Sequence, residues 1–313
     1  MKSSLGVVLA AIIVELLSQA AQARADDGVT PAFGVGGVYY ENSDGDRRHD
    51  ESLDGAIPLR HLVLTVEGVS HWGNGPLGSA ASQELLFGFN GGHSFPGSPK
   101  GRVGFVRFDA GAKPAGMLEV QEKGDAGELR LRAEYTPLFE TAEMIRNEIM
   151  FAGIELRGKA LLSRRLSPAV QLFLRDYSDN NDSVRARGDL PCAVILSPVH
   201  WELGYRQEYA AFRRQTRGGY FDPDELNSFQ AVSSISYWKE QLQAYAEIFG
   251  GLQKSRTSGN SSTDGFVGVY AEAVLKTSGS FQFGLTAEGD DYSLGSASGF
   301  RHVQIGVRLT KYI

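Results

Sequence analysis

The 313 residues carry 31 basic and 37 acidic side chains, a formal charge of -6, so no global basic field exists to recruit nucleic acid or an anionic surface. With 42% hydrophobic and 10% aromatic residues the chain has too much core-forming material to be disordered. Cys192 is the only cysteine, which excludes a disulfide scaffold and any cysteine-rich zinc or iron-sulfur site.

The chain opens with Lys2, an apolar stretch from Leu5 to Leu17 interrupted by Glu15, and small residues at Ala21, Ala23 and Ala25. This is the layout of a secretory signal peptide spanning residues 1–25, cleaved after Ala25. Its apolar run falls short of the ~20 residues a membrane-spanning helix needs. Beyond it no stretch approaches 18 consecutive apolar residues, so helical membrane spans are excluded while β-strand spans are not.

In the N-terminal half, strands are predicted near 31–41, 58–72, 83–94, 102–109, 115–122 and 127–136. The segment 137–149 is less regular, and Glu140 to Glu148 reads as partly helical. From Gly127 onward the alternation becomes clear: Leu129, Leu131 and Ala133 oppose Arg130, Arg132 and Glu134, and at the end Val303, Ile305, Val307 and Leu309 oppose His302, Gln304 and Arg308. Nine further strands follow, at 150–163, 169–177, 183–195, 199–212, 227–238, 241–253, 266–276, 280–290 and 300–312. Many exceed the usual five or six residues and match the 9 to 11 needed to cross a bilayer at a tilt.

Counted back from the last strand, the connections run long and short in turn: 291–299, 277–279, 254–265, 239–240, 213–226, 196–198, 178–182 and 164–168. That pattern belongs to an all-β transmembrane antiparallel up-and-down barrel with short periplasmic turns and longer extracellular loops. Fifteen strands can be read, and closure requires an even number, so 14 to 16 are expected, with 137–149 as the place where a missing strand would hide. Residues 26–313 then form one outer-membrane domain in a Gram-negative bacterium, its outer face in contact with lipid.

Charges facing lipid cost ~2 to 4 kcal/mol for Arg or Lys near the midplane, so the polar faces are expected to line the lumen. The candidates are Arg130, Arg132, Glu155, Arg157, Arg175, Arg185, Arg187, Glu202, Arg206, Tyr245, Glu247, Tyr270, Glu272 and Arg308, with Glu134, Lys159, Glu208, Lys276 and Glu288 on the same faces. Tyr245 and Tyr270 could stack on sugar rings. In the loop 213–226, Arg217, Tyr220, Phe221 and Asp222 combine cations, aromatics and a carboxylate as a gate or sugar contact would. No metal-type histidine pair occurs. Ser197 near His200 is the one arrangement that could be turned to lipid hydrolysis, and it sits in a turn before Pro198. No enzymatic activity and no cofactor are expected.

The run Leu172-Phe173-Leu174-Arg175-Asp176-Tyr177-Ser178-Asp179-Asn180-Asn181-Asp182, then Leu203-Gly204-Tyr205-Arg206, then Gly219-Tyr220-Phe221-Asp222-Pro223-Asp224, resembles the C-terminal outer-membrane barrels of exopolysaccharide export proteins. These are the poly-N-acetylglucosamine porin and the cellulose synthase outer-membrane subunit, and the resemblance covers roughly residues 150–313. It implies a conduit for a polysaccharide and, through the family's usual coupling, periplasmic or inner-membrane synthase components as partners. No helical repeat of the family's usual kind is visible in this sequence. The competing readings are a structural or adhesive barrel with a plugged lumen and a barrel enzyme acting on lipid.

Overall fold

The computed structural model describes residues 31–312 apart from 44, 60–61, 92–97, 140, 215–222, 278–279 and 293–299. The expected signal peptide, residues 1–25, lies outside the described residues, as do Arg217, Tyr220, Phe221 and Asp222.

Sixteen strands close into one barrel: β1 Ala32–Asn42, β2 Arg47–Leu59, β3 Leu62–Gly75, β4 Gly78–Gly91, β5 Lys100–Arg107, β6 Ala112–Gly124, β7 Gly127–Pro137, β8 Met150–Ala160, β9 Ala169–Tyr177, β10 Asn181–Ile195, β11 Val199–Phe212, β12 Glu225–Trp238, β13 Leu242–Thr257, β14 Asn260–Lys276, β15 Phe281–Tyr292 and β16 Phe300–Tyr312. Each pairs antiparallel with its sequence neighbours, and β1 closes on β16 from Ala32↔Tyr312 to Asn42↔His302. Closure leaves no unpaired edge, which is the requirement for strands in a hydrocarbon medium. One short helix, α1 Ala142–Arg146, interrupts the β7–β8 connection.

The faces follow from the two-residue repeat. On β9, Val170, Leu172 and Leu174 point out and Gln171, Phe173 and Arg175 point in. The outward rows are apolar and open: Ile154 and Ile248 are each 53% exposed, and similar Val, Leu and Phe side chains recur around the barrel. Such a continuous apolar surface far exceeds what a water-facing monomer tolerates. Facing lipid, it costs nothing.

The sixteenth strand is β2, not a strand within 137–149. Its outward positions Arg47, His49 and Glu51 are as polar as its inward Arg48, Asp50 and Ser52, so the alternation that marks the other strands is missing there. A second correction concerns 254–265, expected as a long loop. β13 and β14 continue through it and meet in a tight turn at Ser258 and Gly259, with φ of 51° and 80°. Positive φ at both central residues is the type I′ geometry that matches strand twist.

The barrel has two unequal ends. At the end where β1 begins and β16 finishes, the connections are mostly short, although 92–99 and 161–168 are not. At the far end lie the two longest connections, 138–149 and 213–224.

Candidate functional site: the narrowed lumen

The β7–β8 connection does not stand out from the far end. It folds into the barrel and packs on the inner wall. Thr141 caps α1 by accepting from the Met144 N–H at 3.2 Å, with Glu143 in the first turn and Arg146 in the last, each charge matched to the helix dipole. At the other end the Ile149 N–H donates to the Met144 carbonyl at 3.1 Å and the Glu148 N–H to Ile145 at 3.2 Å, a Schellman ending. Glu148 takes the left-handed position of that motif, φ 50°, where glycine is usual. Its carboxylate accepts from the Ala110 N–H at 3.1 Å and meets Lys113 Nζ at 3.0 Å, contacts that hold a side chain at a strained position.

Adjacent residues of α1 anchor it on two sides. Ile145 packs with Leu86, Val106, Phe108 and Ala115 of the β4–β6 region. Met144, with Leu138 and Ile149, packs with Phe151, Tyr177 and Phe212 from the inner faces of β8, β9 and β11. Met144 and Ile145 are 1% and 2% exposed. Gly73 on β3 makes the approach possible, because a Cβ there would lie 2.8 Å from Ala142 Cα and 3.2 Å from Ile145 Cδ1. The Phe139 ring stacks on His71 with centroids 3.8 Å apart, and Arg48 donates to the Phe139 carbonyl. His71 Nδ1 is 2.9 Å from Asp50 and its Nε2 is 3.6 Å from Glu84, while Arg48 Nε is 3.0 Å from Asp50.

The lumen around and below this loop is charged, and the charges are sorted by wall. The inner faces of β5–β10 carry Lys100, Arg102, Lys113, Arg130, Arg132, Arg157, Lys159, Arg175, Arg185 and Arg187 against fewer carboxylates, among them Glu119, Glu134, Glu155 and Asp189. The remaining wall reverses the balance: Asp50, Asp54, Glu67, Glu84, Glu202, Glu208, Glu247, Asp264, Glu272 and Glu288 outnumber Arg48, Arg206, Lys276 and Arg308. Two oppositely charged walls set up a field across the lumen.

Many of these groups pair. Arg206 donates to both Glu247 oxygens at 2.9 and 3.0 Å and to Asp189 at 2.8 Å, and Tyr245 donates to Glu247 at 2.8 Å. Arg187 bridges Asp189 and Glu208, Arg130 donates to Glu155, Arg132 to Glu134, and Arg308 to Asp54 at 2.7 Å. Tyr270 donates to Glu272 at 3.1 Å, and its ring tilts against Tyr245 at 5.9 Å. Glu202 pairs with His200 at 3.0 Å. His200 therefore has its own partner, and no described contact joins it to Ser197. The interior is nevertheless not filled: the inward Arg308 side chain is 57% exposed, and Arg157, Arg185 and Glu272 are exposed too.

All fourteen sequence candidates lie on the inner face. Reading by sequence missed the inward Asp50 and Asp54, because β2 was not recognised, and did not single out Glu67 and Glu84 on strands that it did predict. It also missed the docked loop, whose signal was the apolar set Leu138, Met144, Ile145 and Ile149 in a connection that a solvent-facing loop would not need.

No protein-family model matches the sequence. No curated protein matches it either. Among solved structures, one described as a bacterial polysaccharide outer membrane secretin is similar over 91% of this chain and 98% of that chain, with 12% identity and a TM-score of 0.74. CdiB from Acinetobacter baumannii (TM-score 0.48, 10% identity, 90% of this chain and 60% of that chain) and OccK11 from Pseudomonas aeruginosa (0.46, 10%, 91% and 96%) are more distant in shape. The likeness to the first is one of fold: a single barrel, matched nearly end to end.

Proposed function

We propose that this chain is an outer-membrane channel of a Gram-negative bacterium, passing a hydrophilic solute or a polysaccharide chain through a charged lumen narrowed by the loop 138–149. The observation that carries the reading is the half-exposed Arg308 inside a closed barrel, with open Arg157 and Arg185 on the opposite wall. A lumen filled by its own ion pairs would bury them. The apolar exterior supports a lipid setting, and strand parity supports an orientation with both chain ends in the periplasm and the loop 138–149 at the outer mouth. The fold shared with a polysaccharide secretin favours a sugar polymer as cargo, and with it a synthase as partner. The unbridged Ser197 and His200 do not favour catalysis.

Single-channel recording in planar bilayers tests this. The wild type is expected to give steady conductance steps, and replacing residues 139–148 with a short Gly-Ser linker is expected to enlarge them. Absence of current in both, with heat-modifiable gel migration showing folded barrels, would establish the plugged structural alternative. The base of the second long loop abuts the same site, since Phe212 packs with Met144 and its N–H donates to the Pro223 carbonyl at 3.2 Å. Deleting 216–224 is expected to raise conductance as well while leaving the barrel folded.

A further inference from the structure

On β8–β10 the cations are in surplus. Every carboxylate facing inward from β7–β10 that lies near them is already engaged: Glu134 by Arg132, Glu155 by Arg130 and Gln171, and Asp189 by Arg187 and Arg206. Arg157, Arg175 and Arg185 have no carboxylate partner among the described residues. Elsewhere in the lumen the described carboxylates mostly have a cation or histidine beside them, Glu272 and Asp264 being exceptions.

Arg175 and Arg185 border an aromatic surface, and Arg157 lies on the same inner wall, opposite Gln171. The Arg175 guanidinium lies 4.4 Å from the Phe151 ring centroid and 5.6 Å from that of Phe173, and its Nε is buried without a hydrogen-bond partner. Phe173 faces the lumen in register with Arg185. Phe151 in turn belongs to the cluster that holds the inward loop, which places Phe151 and Arg175 at the constriction, with Arg157 six residues further along the inner face of β8. An inward phenyl ring is costly in a wet lumen unless something covers it. Flanked by free guanidinium groups, it offers a face for a sugar ring and charge-assisted donors for a carboxylate on that ring.

We infer that this cluster is a binding site for acidic, carboxylate-bearing sugars and that the channel prefers anions. The inference rests on the channel reading and adds the class of cargo. It is tested by the reversal potential under a potassium chloride gradient, and by current block with oligogalacturonate compared with maltohexaose. The wild type is expected to be anion-selective and to be blocked by oligogalacturonate but not by the neutral oligomer. Replacing Arg157, Arg175 and Arg185 together by glutamine is expected to move the reversal potential toward cation preference and to weaken the block by roughly tenfold or more, the loss of one or more charge-assisted contacts. Phe173→Leu, which keeps all three charges, is expected to keep anion preference and weaken only the sugar block. Cation selectivity in the wild type, equal block by both oligomers, or an unchanged triple variant would overturn the inference while leaving a channel. Absence of current in every folded protein would instead overturn the channel reading beneath it.

Discussion

Replacing Met144 and Ile145 by alanine should release the loop from the wall without harming the barrel. Both side chains are almost wholly buried, yet neither belongs to a strand. Large-to-small changes at such sites cost ~2–5 kcal/mol each. They contact separate clusters, Ile145 toward Val106 and Met144 toward Phe151, so the costs are expected to add to first order. Even the lower end, about 4 kcal/mol in total, moves the docked-to-undocked ratio by roughly three orders of magnitude. Alanine favours helix, so α1 gains no intrinsic penalty from the change. Hydrogen exchange reads the result directly, because the amides of Ile145, Asn147, Glu148 and Ile149 are bonded only within this loop. Their exchange should accelerate by at least a hundredfold while amides of β7 and β8 stay protected. Unchanged exchange at those four amides in a folded double variant would show that burial of Met144 and Ile145 does not hold the loop.

Gly73→Val places methyl groups where Ala142 and Ile145 now lie, so it should expel α1 by steric conflict and enlarge single-channel steps to about the size seen without the loop. Arg206→Ala leaves Glu247 without a cation at a site where the Arg206 side chain is only 9% exposed, while Asp189 keeps Arg187, and should destabilise the barrel by up to about 3–5 kcal/mol, read as a lower temperature for loss of heat-modifiable migration. Ile305→Arg should cost about 2–4 kcal/mol in lipid, whereas its neighbour Gln304→Arg, inward beside Glu288, should cost little, and equal losses in refolding titrations would contradict the facing of β16.

Strand by strand, the sequence was legible wherever lipid contact imposes an apolar row. β9, β11 and β16 announce themselves because Leu172, Leu203 and Val307 cannot be polar at those positions. That constraint relaxes toward the far end of the barrel. Lys254, Arg256 and Thr263 face outward on β13 and β14, which made these extensions read as loop, and Arg47, His49 and Glu51 hid β2 in the same way. The inward direction of Arg130 or Glu247 followed from alternation alone. Their partners did not, since the contact of Arg206 with Glu247 joins positions 41 residues apart, across an intervening strand. The docked loop was the least legible element. Its helical pattern is local, but its destination is the wall around Gly73 and Val106, set by tertiary packing.

Osmotic swelling of proteoliposomes in neutral sugars of graded size tests the central claim most directly, because it asks only whether water-filled space runs through the barrel and what limits it. The wild type should admit small sugars up to a sharp cut-off, and the variant lacking residues 139–148 should admit larger ones. Failure of both proteins to admit even the smallest sugar would contradict the account.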